Sequence, residues 1–410
     1  MIISKGKVCD FLLNALFFLS TDTVLFGTNA NQSFLYVPRI MGLIFIVIIF
    51  MIFPQKRRVI KKDFFLLAIF LSILTLSAII NEENILTYIS RLIPIVSAYM
   101  IAKYYSIELF INKFNKFVYI VAIFGIIFEI FYLFVPGVLE FFPLIINTAG
   151  ISFRTIGLGS IEVNQLGLCR ANGIFWEPGA FAVYLNIAIY FVLFREKEIK
   201  KKRFIIYCIA LFITLSTTGY IAFFIIVLLF FLFKKNIYKK KLNYKIVEVF
   251  LIVLLILITF NNNIIYENVF TKLVNKTSTT MVRLTGIIGG IQIVYENPLL
   301  GVFSSKIRPI LSVYQPASAG MLTNTIIYQF TAYGILFGFL FCLYSIKFFI
   351  MDEKSKFLKL GLCVFWNVIF ISEMFYSFLP FLFVFYSLRG GKNENSHNKY
   401  ISIRKYWKYS

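Results

Sequence analysis

The chain has 410 residues, of which 60% are hydrophobic, 19% are aromatic and only 15% are charged, with a formal net charge of +22. A soluble domain of this length could not bury so much Phe, Ile and Leu, and the apolar runs are long enough to cross a bilayer. The composition therefore excludes an ordinary soluble enzyme and predicts an all-helical, polytopic membrane protein.

The apolar runs predict about twelve transmembrane helices in one integral-membrane domain, residues 1–410, although eleven or thirteen spans also fit the pattern. The predicted spans are 9–26, 36–53, 64–80, 86–102, 117–136, 178–194, 204–217, 218–233, 246–260, 322–346, 357–371 and 374–388. The seventh and eighth spans meet at LSTTGY, residues 215–220, which predicts a tight turn between two helices. The chain shows no internal repeat.

The basic residues alternate along the chain in a way that predicts which loops face the cytoplasm. Of the 41 Lys and Arg residues, 32 fall in the termini and in every second loop, for example in REKEIKKKR at 195–203. This alternation places both termini inside the cell, including a basic cytoplasmic tail over 389–410. Topology and attraction to anionic membrane lipids explain the positive surplus, so we expect no nucleic-acid partner.

Two long segments fall on the outer side of this topology, 137–177 and 261–321. The remaining outer connections are short. Long loops of this kind usually form a binding surface or a lid. The chemistry of the protein is therefore expected in these two segments.

The second outer segment contains RLTGIIGGIQIVYENPLLGVF, in which apolar residues follow helical spacing with small glycines between them. The pattern predicts an amphipathic helix in the outer membrane interface, which ends at Asn297-Pro298. Such a helix places Arg283 at one end and Glu296 near the other. A purely structural interfacial helix is the alternative.

Arginine is concentrated on the predicted outer side, although lysine outnumbers arginine in the whole chain. A guanidinium is always charged, and its planar fork matches the oxygens of phosphate. The bias indicates an anionic, phosphate-bearing ligand, and ordinary pairing with outer carboxylates or lipid headgroups is the alternative. The nine basic residues outside the cytoplasmic set are Arg39, Arg91, Arg154, Arg170, Lys272, Lys276, Arg283, Lys306 and Arg308.

Two of these arginines, Arg39 and Arg91, lie inside predicted spans near their outer ends. A charge in such a position is unfavourable unless it snorkels, pairs or faces a polar cavity. Snorkelling is the simplest explanation for Arg39. Arg91 lies deeper, three residues before Pro94, which favours a cavity-facing role.

The sequence RANGIFWEPGAFAVYL, residues 170–185, places charges at the mouth of the sixth span. Pro178 suits the first position of a helix, and the N–H groups and dipole of a helix N-terminus favour anions. With Arg170 just upstream, this end of the helix predicts a phosphate cradle. Glu177 should be held ionised there as a proton acceptor, and a helix-capping role explains its position equally well.

Metal ligands are scarce on the outer side of the predicted topology. The chain has only four aspartates and no outer Asp-x-Asp pair, and His397, its only histidine, lies in the cytoplasmic tail. We therefore expect no metal site and no cofactor. A reaction on a phosphate-linked substrate would depend on arginines to stabilise the leaving group.

Four motifs resemble the O-antigen polymerase and O-antigen ligase superfamily in their order along the chain. They are RANGIFWEPGAFAVYL, LSTTGYIAF, RLTGIIGGIQIVYENPLLGVF and TNTIIYQFTAYGILFGFL. The resemblance extends over the whole chain and implies a GT-C-like membrane glycosyltransferase. Such an enzyme is inverting and metal-independent, and it uses undecaprenyl-pyrophosphate-linked glycans on the outer face of the bacterial inner membrane.

The resemblance implies roles for two arginines and leaves the general base unassigned, whereas the other candidates come from the charged residues on the predicted outer side. Arg170 and Arg283 are the candidates for binding pyrophosphate, and with Glu177 as base or acceptor-positioning residue they form the candidate catalytic set. Glu296 and Glu162 are the next candidates for the role of Glu177. The candidate substrate-binding residues are Arg154, Arg91, Arg308, Glu296 and Glu162.

One departure separates the branches of the superfamily. The ligase branch carries a histidine followed by Asn, Ser or Gln, nine further residues and Gly, and here Thr323 stands before Asn324 and Gly334. We therefore expect a repeat-unit polymerase for O-antigen (lipopolysaccharide biosynthesis), capsule or exopolysaccharide. The sequence leaves open whether a chain-length regulator or another copy of the protein binds it. The alternatives are a ligase of the same superfamily and a lipid-linked oligosaccharide flippase or other transporter.

Overall fold

A computed structural model describes residues 5–19, 21, 23–24, 32–52, 61–146, 152–163, 170–196, 198–234, 278–318, 320–375 and 378–389. The protein is mostly helical over these ranges, as predicted. Its α-helices are α1 (Lys5–Leu19), α2 (Gln32–Ile52), α3 (Lys61–Ile80), α4 (Ile85–Tyr104), α5 (Ile107–Phe134), α6 (Pro178–Tyr190), α7 (Lys201–Ile213), α8 (Thr217–Phe233), α9 (Ser278–Glu296), α10 (Phe303–Tyr314), α11 (Thr325–Ile350), α12 (Lys356–Ser372) and α13 (Phe378–Ser387).

Among the described residues, five helices are long and apolar enough to cross a membrane. They are Lys62–Ile80, Ile85–Tyr104, Ile107–Phe134, Pro178–Arg195 and Thr325–Ile350. The fourth includes a π-helical turn, which continues α6. Of the twelve predicted spans, that at 246–260 lies outside the described residues, as do 261–277 of the second outer segment and the tail from 390. The other predicted spans all overlap helices.

Short polar residues determine where several of these helices begin. Asn84, Ser106, Ser216 and Ser355 each accept a hydrogen bond from a backbone N–H in the first turn of α4, α5, α8 and α12. Such a side chain satisfies an N–H group that has no partner within the helix. The helix α5 therefore begins at Ile107, before the predicted start of the fifth span at 117, because its first turns are polar and do not contribute to the hydropathy signal.

The end of the first predicted span, at residue 26, is wrong for the helix. α1 ends at Leu19, and the N–H of Val24 donates to the carbonyl of Ile174 at 2.8 Å. Thr23 forms a bridge with Phe175. Backbone pairing with a distant segment overrides the apolar run here.

The segment 137–177, which the sequence predicts to lie outside, contains a small sheet that the all-helical prediction does not include. After a 3-10 turn, three antiparallel strands pair in the order β1 (Leu144–Ile146), β2 (Ser152–Thr155) and β3 (Ser160–Glu162). Strands of three or four residues are too short to leave a periodic signal among so many apolar residues.

The helices α6 and α13 form the centre of the bundle, and every residue of each is buried. α6 packs against α5, α7 and α8, whereas α13 packs against α4 and α11. α12 contacts both α8 and α11 and so joins the two groups. This packing brings the start of α6, the end of α12 and the start of α11 close together.

The chain between α9 and α10 inserts into a kink of α11 at Gly334, whose φ of 87° is readily adopted only by glycine. The N–H of Ile335 donates to the carbonyl of Pro298 at 2.7 Å, and the N–H of Val302 donates to that of Thr331 at 3.0 Å. These bonds replace helical bonds lost at the kink. The third and fourth sequence motifs are therefore in contact.

The glycines of α9 face the bundle, whereas its apolar stripe is exposed. A Cβ at Gly290 would meet the side chain of Ile327 on α11, so the two helices approach closely there. Leu284, Ile288 and Ile291 are all exposed. The helix ends at Glu296, directly before the predicted Asn-Pro stop, and its exposed stripe is the face that the sequence assigns to the membrane interface.

Candidate functional site

Three charged side chains from distant parts of the sequence meet at the N-terminal end of α6, and we call them the carboxylate–arginine cluster: Glu177, Arg283 and Glu373. Nη2 of Arg283 lies 3.2 Å from Oε1 of Glu177 and 3.4 Å from Oε1 of Glu373. Nη1 of Arg283 donates to the carbonyl of Ser372 at 2.9 Å. One guanidinium thus binds two carboxylates and the end of α12.

Glu177 stands at the N-cap position of α6, but its side chain makes no capping hydrogen bond. Its backbone is extended, and its carbonyl accepts from the N–H of Phe181 at 3.3 Å. Pro178 occupies the first helical position, where it lacks an N–H that would have no helical partner. The helix-capping explanation of Glu177 therefore fails, and its carboxylate, 38% exposed, accepts from Arg283 instead.

Glu373 lies in the short connection between α12 and α13, and the start of α11 holds its backbone. The Glu373 carbonyl accepts from both the N–H and the hydroxyl of Thr325. The same hydroxyl accepts from the N–H of Phe375 at 2.9 Å. Thr325 thus holds the backbone on the C-terminal side of Glu373, which fixes the direction of the Glu373 side chain.

The Glu373 side chain points against the first turn of α6. A Cβ at Gly179 would overlap the Glu373 carboxylate, so this close approach requires glycine. The sequence predicts a phosphate cradle at the same helix end. In the structure a carboxylate of the protein lies beside it.

Burial decides the charge of Glu373, whose side chain is only 3% exposed. Burial raises the pKa of Glu373 well above its usual range, the adjacent Glu177 raises this pKa further, and Arg283 lowers it. The dipole of α6 favours a carboxylate by about 1 kcal/mol. Removing an ion from water costs several times more, so burial favours the neutral acid at Glu373.

Arg170 lies beside the cluster, but its guanidinium also binds the turn between α7 and α8. Its Nε donates to the carbonyl of Thr214 at 3.1 Å and its Nη2 to that of Leu215 at 3.3 Å. Burial lowers the pKa of Arg170, whereas Glu177 and Glu373 raise it through their charges. The predicted cradle therefore needs a correction, because carbonyl groups at the end of α7 orient this arginine.

The structure places two other candidates near these residues. Glu162, at the end of β3, is a weaker electrostatic partner of Arg170. Nε of Arg91 donates to the hydroxyl of Ser304 at 3.1 Å, and its guanidinium lies 5.9 Å from the ring centre of Tyr328 on α11. Arg91 thus lies between α10 and α11, and Tyr328 is one helical turn after Thr325, the residue that anchors Glu373.

The remaining substrate-binding candidates lie outside the cluster. Nη1 of Arg154 donates to the carbonyls of Glu140 and Phe142, at 3.2 and 2.8 Å, so it fastens the sheet to the preceding turn. Glu296 accepts from the hydroxyl of Tyr314 and so ties α9 to α10. Arg308 is exposed on α10. Sequence reasoning grouped them by predicted side, but in the structure Arg154 and Glu296 bind groups of their own segments.

Sequence reasoning missed Glu373 as a site residue. It stands between two apolar runs, in a connection that the topology places on the same outer side as Glu177. A carboxylate next to membrane-embedded sequence needs a cationic partner, and outer arginines were already candidates. That combination was the signal that could have found it.

Within the described ranges, no three His, Cys, Asp or Glu side chains are grouped as a metal site would require. The two carboxylates of the cluster bind a guanidinium. No protein-family model matches the chain, and no curated protein or solved structure matches it either. The fold and site therefore define a mostly helical protein with membrane-length helices and a carboxylate–arginine cluster at the start of a buried helix.

Proposed function

We propose that this protein is a polysaccharide polymerase, which joins undecaprenyl-pyrophosphate-linked repeat units into O-antigen, capsule or exopolysaccharide. The carrying observation is the 3.2 Å contact between Arg283 and Glu177. It brings together an arginine and a carboxylate from two motifs of the superfamily that this chain resembles. Both side chains are about one-third exposed, so a substrate can reach them.

The four motifs converge in space, as the parts of one catalytic site must. Arg170 of the first motif binds Thr214 and Leu215, at the start of the second. The third and fourth motifs meet at the kink of α11, and Arg283 joins the third to the first. This convergence supports a common site.

In the proposed reaction, the acceptor hydroxyl attacks the anomeric carbon of the chain held on undecaprenyl pyrophosphate. A new glycosidic C–O bond forms with inversion, the C–O bond to pyrophosphate breaks, and its electron pair leaves on the pyrophosphate oxygen. Glu177 accepts the hydroxyl proton. Arg283 and Arg170 stabilise the leaving charge, and one well-oriented donor contributes about 3 kcal/mol to such a step.

The proposal includes a GT-C-like topology of twelve spans, with both termini in the cytoplasm of a bacterial cell. The distribution of ion pairs supports it. All seven ion pairs between described residues join side chains that this topology places on the same side. Arg195–Asp352 and Asp63–Arg389 are examples from the cytoplasmic side, and Arg283 forms both outer pairs.

Within the superfamily, the start of α11 favours a polymerase over a ligase. Asn324 caps this helix by accepting from the N–H groups of Ile326 and Ile327, at 2.9 and 3.0 Å. Gly334 provides the kink. These motif residues therefore have structural roles, and Thr323 cannot serve as the base that a histidine would be.

Reconstitution with purified lipid-linked repeat units tests the proposal. Vesicles that contain the protein should convert the repeat units into a ladder of products, and a chelator of divalent cations should leave the ladder unchanged. Movement of the lipid-linked units across the bilayer without new glycosidic bonds would identify a transporter instead. Transfer of finished polymer to a lipid core without a ladder would identify a ligase.

A further inference from the structure

The proposed reaction assigns no role to Glu373, the third member of the carboxylate–arginine cluster. Glu373 is almost fully buried, lies against the first turn of α6 and contacts the same guanidinium nitrogen as Glu177. Its carboxyl group is therefore a close neighbour of the Glu177 carboxyl group, because Nη2 of Arg283 contacts both. A purely structural acid would not need this second carboxylate as its neighbour.

Charged groups from several elements surround the carboxyl group of Glu373 and determine whether it holds a proton. Glu177 approaches from the start of α6, Arg283 approaches from α9, and the charge of Arg170 acts on both carboxyl groups. From α11 the neutral Thr325 faces the Glu373 backbone. Two carboxyl groups this close together do not both ionise readily, which favours one proton held by the pair.

We propose that Glu373 is a positioning residue that keeps this proton and donates it in a hydrogen bond to the ionised Glu177, orienting Glu177 toward the acceptor hydroxyl. The proposal rests on the proposed function, because it assigns Glu177 as the base. The difference in exposure supports Glu373 as the residue that holds the proton: its side chain is 3% exposed, whereas that of Glu177 is 38% exposed and keeps contact with water.

Activity against pH tests the proposal with Glu373→Gln and Glu373→Ala. Wild-type turnover should fall as the pH rises and Glu373 ionises. Glutamine donates the same hydrogen bond and cannot ionise, so Glu373→Gln should retain turnover within about threefold of wild type near neutral pH and should lose this fall in rate. Glu373→Ala should reduce kcat by at least about tenfold with little change in KM. The matched control is Glu140→Gln, an exposed outer glutamate, which should behave as wild type.

A fall in rate with rising pH that is unchanged in Glu373→Gln would overturn the proposal. So would a folded Glu373→Gln protein that is as inactive as Glu373→Ala, because the group would then need to ionise.

An infrared readout separates this inference from the proposed function. The spectrum of wild type minus Glu373→Gln should contain the carbonyl band of a protonated carboxylic acid, and that of wild type minus Glu140→Gln should not. If the carbonyl band is present but no product ladder forms, the polymerase proposal fails and the inference about the proton is retained. A ladder without the band means that the proton inference fails. If Glu373→Gln does not fold, the spectrum of wild type minus Glu373→Ala gives the same answer, and absence of the band there overturns the inference.

Discussion

The carboxylate of Glu373 fills the space that a side chain at Gly179 would need, so the end of α12 and the first turn of α6 pack in direct contact. The same carboxylate contacts Arg283 on α9. A change at Gly179, which carries no functional group, should therefore alter the geometry of the whole cluster.

Gly179→Ala should push Glu373 away from α6 and shift Arg283 with it. Overpacking of this kind costs about 1–3 kcal/mol of folding stability. A displacement of about 1 Å in a catalytic group can reduce turnover by about 100-fold. Ladder assays and thermal unfolding in detergent measure the two effects. Gly137→Ala is the matched control, because a Cβ there has open space around it, and equal behaviour of the two variants would contradict the prediction.

Arg283→Lys keeps the positive charge but loses the fork that reaches Glu177, Glu373 and the Ser372 carbonyl together. We expect turnover to fall roughly 100-fold while the amount of folded protein is maintained. The control is Arg203→Lys, which changes an ion pair with Glu196 at the predicted cytoplasmic end. Full activity of Arg283→Lys would remove its guanidinium from the mechanism.

Glu177→Gln should leave folding intact, because the Glu177 side chain does not cap α6. Removal of a general base typically lowers the rate by about 100- to 10,000-fold, so the loss should occur in kcat at an unchanged melting temperature. Pro178→Ala should be mild, since alanine suits the first turn of a helix. A normal ladder formed at a normal rate by Glu177→Gln would exclude Glu177 as the base.

Gly334→Ala should destabilise the protein at the kink of α11. Gly334 has a φ of 87°, and a Cβ there would also overlap the backbone of Leu299 and Leu300. Strain of this kind costs about 1–3 kcal/mol before the overlap is counted. Thermal unfolding should show a clear loss relative to Gly137→Ala. An unchanged melting temperature would mean that the segment before α10 is not locked into the kink.

Stability should fall as the pH rises above the usual pKa of a glutamate, because of Glu373. Its pKa is raised in the folded protein, mainly by burial, above the value in the unfolded chain. A group of this kind contributes stability that is fully present below the unfolded pKa and is lost as the pH rises through the folded pKa. Melting temperatures of wild type should therefore decline with rising pH more steeply than those of Glu373→Gln. Parallel curves would show that Glu373 does not titrate in the folded protein.

Local features of the sequence determined most of the helices. Pro178 marks the first residue of α6, the turn at LSTTGY separates α7 from α8, and Asn297-Pro298 directly follows the end of α9. These features act over a few residues, through a missing N–H, a short polar turn or the helical spacing of apolar residues. They can therefore be recognised in the sequence without knowledge of the fold. The same analysis identified Glu177 and Arg283 as residues of interest from composition, position and resemblance, and their catalytic roles remain predictions.

Only the tertiary structure decided which charges meet. Arg283 reaches both Glu177 and Glu373 because α9 packs along α11 and the connection after α12 is anchored to Thr325. Glu296 lies on the same helix as Arg283 but binds Tyr314 instead. The partner of a charged side chain depends on helices that are distant in sequence. Glu373 was therefore missed, because nothing in its own short connection reveals that Gly179 leaves space for its carboxylate.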